Sequence, residues 1–237
     1  WRQDVVACLR EADIDHALIL IDGQTGTNKT KILTKLEKLG HQTLDLEDLA
    51  KHRGSVFGGF ADATQPSQKY FESLIHDRLG CFDQHKPVFV EAESPKIGRR
   101  ALPTALINKM RRSPRIEIRA SADIRALNLV ECYSDLIKNP HKIYEALDYL
   151  RPYHASNLIQ RWQEFVNRQS FDKLAFELIE SHYDPRYERQ RHKHQEQTTN
   201  VIELSSLKDP SLEQAAREID VLVTELQQQE QSAAIVA

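Results

Sequence analysis

The stretch from Ala17 to Leu33, ALILIDGQTGTNKTKIL, constrains this chain more than any other. Leu18 to Ile21 make an apolar run of the length of a buried parallel strand, a glycine-bearing turn follows, and from Lys29 the apolar spacing becomes that of a helix. Strand, tight loop and helix in that order are the setting of a phosphate-binding loop. Its signature, G-x-x-x-x-G-K-[ST], aims backbone N–H groups and the positive end of a helix at phosphate oxygens. Here Gly23 is followed by four residues, Gly26 among them, and then by Asn28, Lys29 and Thr30. Lys29 supplies a point charge, and Thr30 a hydroxyl able to hold Mg²⁺. Asn28 stands where the second glycine belongs. Asparagine tolerates a left-handed backbone, but it adds a Cβ where phosphate approaches, so the loop is expected to survive with weaker affinity. The plainer reading is a glycine turn that only packs strand on helix.

A chain built on this unit is expected to be α/β, a P-loop NTPase-like parallel sheet with helices on both faces. The long helical stretch without a strand adds an all-helical insertion. The expected division is a linker helix over 1–16 carrying Val5, Val6 and Leu9, and a P-loop core over 17–120. A helical insertion or lid follows over 121–185, then a basic loop with a closing strand and helix over 186–228, and a frayed tail over 229–237. Hydrophobic residues at 40% and charged residues at 28% suit a globular core. No apolar run is long enough to cross a bilayer and no secretory signal opens the chain, so no membrane partner and a cytoplasmic location are expected. Cys8, Cys81 and Cys132 lie far apart without a C-x-x-C, which argues against a zinc or disulfide framework. The start at Trp1 instead of Met reads as a fragment of something longer.

Other stretches carry chemistry. The strand Val88-Phe89-Val90 ends in Glu91-Ala92-Glu93, the form of a strand that offers a carboxylate to Mg²⁺ or to a water, and alternation turns both acids to one face. The segment from Asp45 to Gly59 follows the second strand, where a parallel sheet presents its ligand-binding loops. It holds His52, Arg53 and Ser55 among glycines and reads either as an anion-gripping loop or as a solvated loop with a capping acid. Net charge of −3 gives no global pull towards nucleic acid. Locally, though, Lys96, Arg99, Arg100, Lys109, Arg111, Arg112, Arg115 and Arg119 are answered by Glu117 alone, which makes a basic patch. Trp162, Phe165, Phe171 and Phe176 read as the core of the helical block, and His192-x-His194 as a solvated basic segment without a third metal ligand.

In order along the chain, the loop GQTGTNKT, the block LDLEDLAKHRGSVFG, the stretch QPSQKYFE, the strand VFVEAESPKIG with Leu102-Pro103 behind it, and HYDPRY resemble the C-terminal phosphate-loop domain of tRNA 2-selenouridine synthases. The resemblance runs from about Trp1 to Leu226. It implies an enzyme, a transferase, acting on 2-thiouridine at the wobble position of tRNA. Selenophosphate would be the selenium donor, and geranyl diphosphate would give an S-geranyl intermediate. It implies a diphosphate on Gly23, Gly26, Lys29 and Thr30, with Asn28 the departure from the family loop. In that frame Lys29, Glu91 and Glu93 are the candidate catalytic residues, Thr30 a candidate Mg²⁺ ligand, and His52, Arg53 and Ser55 line the site. Lys96, Arg99, Arg100, Arg111, Arg112 and Arg115, joined by the stretch from Arg186 to Lys193, would meet the anticodon region of tRNA. The family's full-length enzyme carries a rhodanese-like domain for the selenium step, expected here in cis, in trans or lost in a paralogue. Two other readings stand beside this one: an ATP- or GTP-dependent small-molecule kinase with the helical block as lid, and a non-catalytic RNA-binding module with a degenerate loop.

Overall fold

The structure, a computed structural model, describes residue 9 and residues 14–59, 64–194 and 200–236, with side chains left aside at 192–194 and beyond 225. The linker helix expected over 1–16 lies outside the described residues except for the buried Leu9 and for 14–16.

Among the described residues, five strands form one parallel sheet: β1 (Leu18–Asp22), β2 (Gln42–Leu44), β3 (Val88–Glu91), β6 (Arg115–Arg119) and β7 (Asn200–Glu203), in the order β2-β3-β1-β6-β7. β1 lies at the centre, in register with β3 (Leu18 opposite Val88) and with β6 (Leu20 opposite Arg115). Alternation along the strands divides the core in two. Leu18, Leu20, Val88 and Val90 face one side, where α2 (Leu46–Ala50), α3 (Gln68–Gly80) and α4 (Thr104–Arg112) bury Leu46, Phe71, Ile75 and Leu106. Ile21, Phe89, Ile116 and Ile118 face the other, where α1 (Lys29–Lys38) and α11 (Asp209–Val236) bury Ile32, Leu36, Leu212 and Ile219. A short antiparallel pair, β4 (Lys96–Ile97) and β5 (Arg100–Ala101), follows β3.

Between β6 and β7 the chain is helical: α5 (Ala122–Cys132), α6 (Ser134–Ile137), α7 (Pro140–Leu150), α8 (Ser156–Asn167), α9 (Phe171–Leu178), a π turn over Ile179–Tyr183 and α10 (Asp184–His194). A third core of its own, with Leu147, Ile159, Trp162 and Leu178 buried, holds α6 to α9 together. Trp162 is fully buried there, as its expected core role requires.

Three local expectations change. The block after β2 is a helix before it is a loop, because the Asp45 carboxylate accepts from the Asp48 N–H at 2.8 Å and caps α2. The polar run from Arg186 begins not as a loop but within α10, held to the sheet by the Arg191–Glu117 ion pair at 2.9 Å. The backbone of α11 continues to Val236, through the stretch expected to fray, in a sequence of Gln, Glu and Ala that favours helix.

Candidate functional site

The Gly23–Thr30 loop sits at the carboxyl end of β1, where open parallel sheets bind ligands. Its backbone turns on three positive φ angles: 149° at Gly23, 90° at Gly26 and 61° at Asn28. A Cβ on Gly23 would come within 2.6 Å of the Ile118 carbonyl, so only glycine fits there. Asn28 holds the left-handed conformation directly before α1, with φ 61° and ψ 36°. Its amide is engaged with the scaffold. Asn28 Nδ2 donates to Asn128 Oδ1 at 2.7 Å and to the Leu207 carbonyl at 3.2 Å, and Asn128 Nδ2 donates back to Asn28 Oδ1 at 2.9 Å and to the Gly26 carbonyl at 2.9 Å. The side chain that replaces glycine also fixes the turn. Lys29 Nζ donates to the Gly23 carbonyl at 2.9 Å, arched over the loop.

Below the loop, Asp22 is 2% exposed and anchors its start: Oδ1 accepts from the Gly23 N–H at 2.7 Å and from the Tyr187 hydroxyl at 3.1 Å, and Oδ2 from Arg115 at 3.1 Å. Arg125 on α5 fixes the other wall, donating to the Thr25 carbonyl at 3.2 Å and forking onto both oxygens of Asp184 at 2.8 and 2.7 Å.

Facing the loop, Glu91 and Glu93 meet Glu47 of α2, and one carboxylate oxygen of each lies within 4.8 Å of the others. Burial raises all three carboxyls, and repulsion by neighbouring glutamates adds to it for Glu47, raised to about 9, and Glu91, raised to about 8, while Lys29 pulls all three the other way. The Thr30 hydroxyl hydrogen-bonds to Glu91, whose Oε1 is buried with no partner. Gly54, at φ 69°, packs directly on Glu47 and Glu93, where a side chain would displace them. Three convergent oxygens, an adjacent hydroxyl and an orphaned buried acceptor suit a hard divalent cation such as Mg²⁺.

His52, Arg53 and Ser55 line the same cleft, of about 1540 Å³, as the loop and the carboxylates. Their partners tie them to the helical block: Arg53 donates to Asp135 at 3.1 Å and stacks on Tyr133, and Ser55 Oγ pairs with the Tyr133 hydroxyl at 2.9 Å. His52 Nδ1 is buried without a hydrogen bond, and burial lowers the pKa of its ring. Of the basic patch, Lys96, Arg99 and Arg111 are exposed at the cleft, and Arg112 is exposed without lining it. Arg100 is half-buried on β5. Arg115 does not belong to the patch. It is 5% exposed and committed to Asp22, because β6 turns it inward beside β1.

A protein-family profile described as "tRNA 2-selenouridine synthase AAA domain" matches residues 16–149, more than half of the chain. The chain belongs to this family. A tRNA 2-selenouridine synthase of Nitrosomonas europaea is 33% identical over 179 residues, 73% of this chain and 45% of the relative. One from Shewanella sp. strain MR-7 is 28% identical over 223 residues, 81% of this chain and 58% of the relative. The chain thus spans about half the length of the curated relatives it matches. Among solved structures, a shikimate kinase from Bacteroides thetaiotaomicron covers 88% of this chain and 98% of its own at 12% identity and TM-score 0.39. A gluconokinase from Sinorhizobium meliloti 1021 covers 92% and 99% at 11% identity and TM-score 0.37.

The loop, Glu91 and Glu93 are legible in the sequence; their supports are less so. Glu47 stands in a block whose composition is that of a loop, although its position two residues after Asp45 at a strand end is a signal. Asp22 directly precedes Gly23 and was equally visible. The Asn28–Asn128 pair and the Arg125–Asp184 fork join residues 100 and 59 apart, and no local pattern announces them. Among the described residues no helix is long and apolar enough to cross a membrane.

Proposed function

We propose that this domain holds the diphosphate of a prenyl donor on the Gly23–Thr30 loop and presents it to 2-thiouridine in the anticodon region of tRNA. This is the geranyl-transfer half of the conversion to 2-selenouridine. In that step the sulfur forms a bond to the allylic carbon, the carbon–oxygen bond breaks with its electron pair leaving on diphosphate, and the nucleobase proton passes to solvent. The protein's part is to stabilise the departing charge and to hold the two reactants in line. Loop N–H groups and the Lys29 ammonium serve the first task. A Mg²⁺ ion, held by Glu47, Glu91, Glu93 and Thr30, would supply further neutralisation of phosphate charge. The charge arrangement supports this: three buried carboxyls have Lys29 as their nearby counterweight and gain most from a cation.

The reading is supported most directly by one convergence. The left-handed, amide-pinned phosphate loop opens into the same cleft as exposed Lys96, Arg99 and Arg111. A second support lies across the cleft, where Tyr149 and Tyr153 are 63% and 55% exposed and Arg186 stacks over Tyr153 at 5.2 Å, a surface suited to splayed bases. The selenium step, with selenophosphate, is assigned to a rhodanese domain in cis or in trans, and the site of action to the cytoplasm.

The test is binding of an anticodon stem-loop bearing 2-thiouridine, followed by mass spectrometry after incubation with geranyl diphosphate and Mg²⁺. Geranylated product, lost with Lys29→Ala, is expected. ATP bound tightly with indifference to RNA would replace this reading by the small-molecule kinase, and RNA bound without any diphosphate by the non-catalytic module.

A further inference from the structure

The helical block carries two exposed aromatic rings to the wall of the main cleft. On α7, Lys142, Glu145 and Tyr149 recur at helical spacing and all line it, and a 3₁₀ turn over Arg151–Tyr153 adds Tyr153. The two tyrosine rings lie 6.5 Å apart between centroids and are tilted by 51°, so they do not stack on each other and their faces stay open. Arg186 comes from α10, 33 residues further along the chain, and sets its guanidinium 5.2 Å from the Tyr153 centroid.

A pair of histidines joins the two elements that meet there. His154 directly follows Tyr153, His182 stands four residues before Arg186, and His154 Nε2 is hydrogen-bonded to His182 Nδ1 at 2.9 Å. The pair is rooted in the core of the block: His182 is buried, His154 packs edge-on against Trp162 at 5.0 Å, and His182 against Tyr183 at 5.0 Å. Burial first, and then the Arg186 charge, lowers both rings, His182 to about 4. Near pH 7 both are therefore neutral, and one donates to the lone pair of the other.

We infer that Tyr149, Tyr153 and Arg186 form a preformed platform on which unpaired nucleobases next to the thiolated one stack, so that the domain selects looped over paired RNA, with His154 and His182 as its positioning residues. The inference rests on the RNA-substrate reading above. The exposed cations Lys96, Arg99 and Arg111 can meet phosphate on any RNA and so cannot make this choice. A duplex keeps its base faces stacked inside and offers only edges and backbone, whereas the splayed bases of a loop present faces that tyrosine rings and an arginine plane can cover. Lys142 and Arg186 beside the rings favour a polyanion over an apolar protein surface as the occupant.

The test compares binding of a 2-thiouridine stem-loop and of a fully paired RNA of the same composition, by fluorescence anisotropy. A second stem-loop carries 2-aminopurine beside the thiouridine to report stacking. The parent should prefer the loop at least tenfold and quench the 2-aminopurine. Tyr149→Ala and Tyr153→Ala should each weaken loop binding by about 5- to 150-fold, the value of one stacked base, and reduce the quenching, with duplex affinity and salt slope unchanged. Tyr153→Trp, which keeps a ring, should bind and quench like the parent. His154→Ala should lose quenching with both tyrosines in place, and His154→Gln, which can still donate to His182, should regain it. Loop affinity unchanged in both tyrosine variants, as expected if the surface serves a protein partner, or loop and duplex weakened alike, would overturn the inference. A parent that binds diphosphate but no RNA would refute the RNA-substrate reading, and this inference with it.

Discussion

Replacing Asn28 by glycine restores the usual phosphate-loop sequence, and on sequence grounds it should improve the loop. The hydrogen bonds of Asn28 lead to the opposite prediction. The Asn28 amide makes three hydrogen bonds with nitrogen and oxygen partners, two with Asn128 and one with the Leu207 carbonyl, beside a weak one from the Cys132 thiol at 3.6 Å. At about 0.5–1.5 kcal/mol net each, their loss costs roughly 1.5–4.5 kcal/mol. Relief of left-handed strain returns about 1 kcal/mol, a small return because asparagine tolerates that conformation. Asn128 is 6% exposed, and after the change its Oδ1 keeps only a weak thiol donor, Cys132 Sγ at 3.8 Å. The net expectation is a loss of about 1–3 kcal/mol, or roughly 3–10 °C in melting temperature for a chain of this size. Asn28→Ala, which loses the same bonds and adds strain, should fall further by about 1 kcal/mol. Differential scanning calorimetry on the three proteins, paired with diphosphate titration, is the assay. Diphosphate affinity of Asn28→Gly should be no stronger than that of the parent, because binding must now order the loop. A glycine variant that melts at or above the parent and binds diphosphate more tightly would refute the lock.

Lys29→Ala removes a charged donor from the phosphate site and should weaken diphosphate binding by about 10- to 150-fold, a loss of roughly 1.5–3 kcal/mol, with little change in melting temperature. Arg125→Met breaks the fork to Asp184 and should cost about 3 kcal/mol, visible in urea unfolding; the double change with Asp184→Leu should recover much of it, because the uncompensated charge is gone. Burial, and then repulsion among the acids, raises Glu47 to about 9 and Glu91 to about 8, so the folded protein holds protons there that an unfolded chain, with carboxyls near 4.3, has released. Their contribution to stability is therefore fully present below about pH 4.3 and is lost as pH rises through about 8 to 9. Glu91→Gln should flatten that slope and Mg²⁺ should lessen it; an unchanged slope in the variant would count against the cluster. With Arg115 committed to Asp22, RNA affinity should fall with salt at a slope between about −2 and −3, the value for three phosphate contacts by Lys96, Arg99 and Arg111.

The sequence made the fold legible where one physical rule dominates. The apolar run of β1, the glycine turn and the 3.6-residue spacing after Lys29 announce the strand-loop-helix, and the acids Glu91, at the end of β3, and Glu93, just past it, meet at one site. Reading failed where distant partners decide. RIEIR looks like half of a basic surface, yet β6 lies beside β1 and buries Arg115 on Asp22 and Glu117 beneath Arg119 and Arg191. The run after HYDPRY looks like solvated loop by composition, yet it begins as a helix because Asp184 meets Arg125 and Tyr187 reaches Asp22. Asn28 looked like a defect because its compensating partner stands 100 residues away on α5.

The most direct test of the account is titration of the purified chain with a 2-thiouridine anticodon stem-loop and geranyl diphosphate together, with Mg²⁺, against the Lys29→Ala variant. Geranyl diphosphate should bind the parent, the stem-loop should bind in a salt-sensitive way, and geranyl should pass to sulfur with release of diphosphate only when Lys29 is present. Binding of the stem-loop with no interaction at all between the chain and geranyl diphosphate would contradict it.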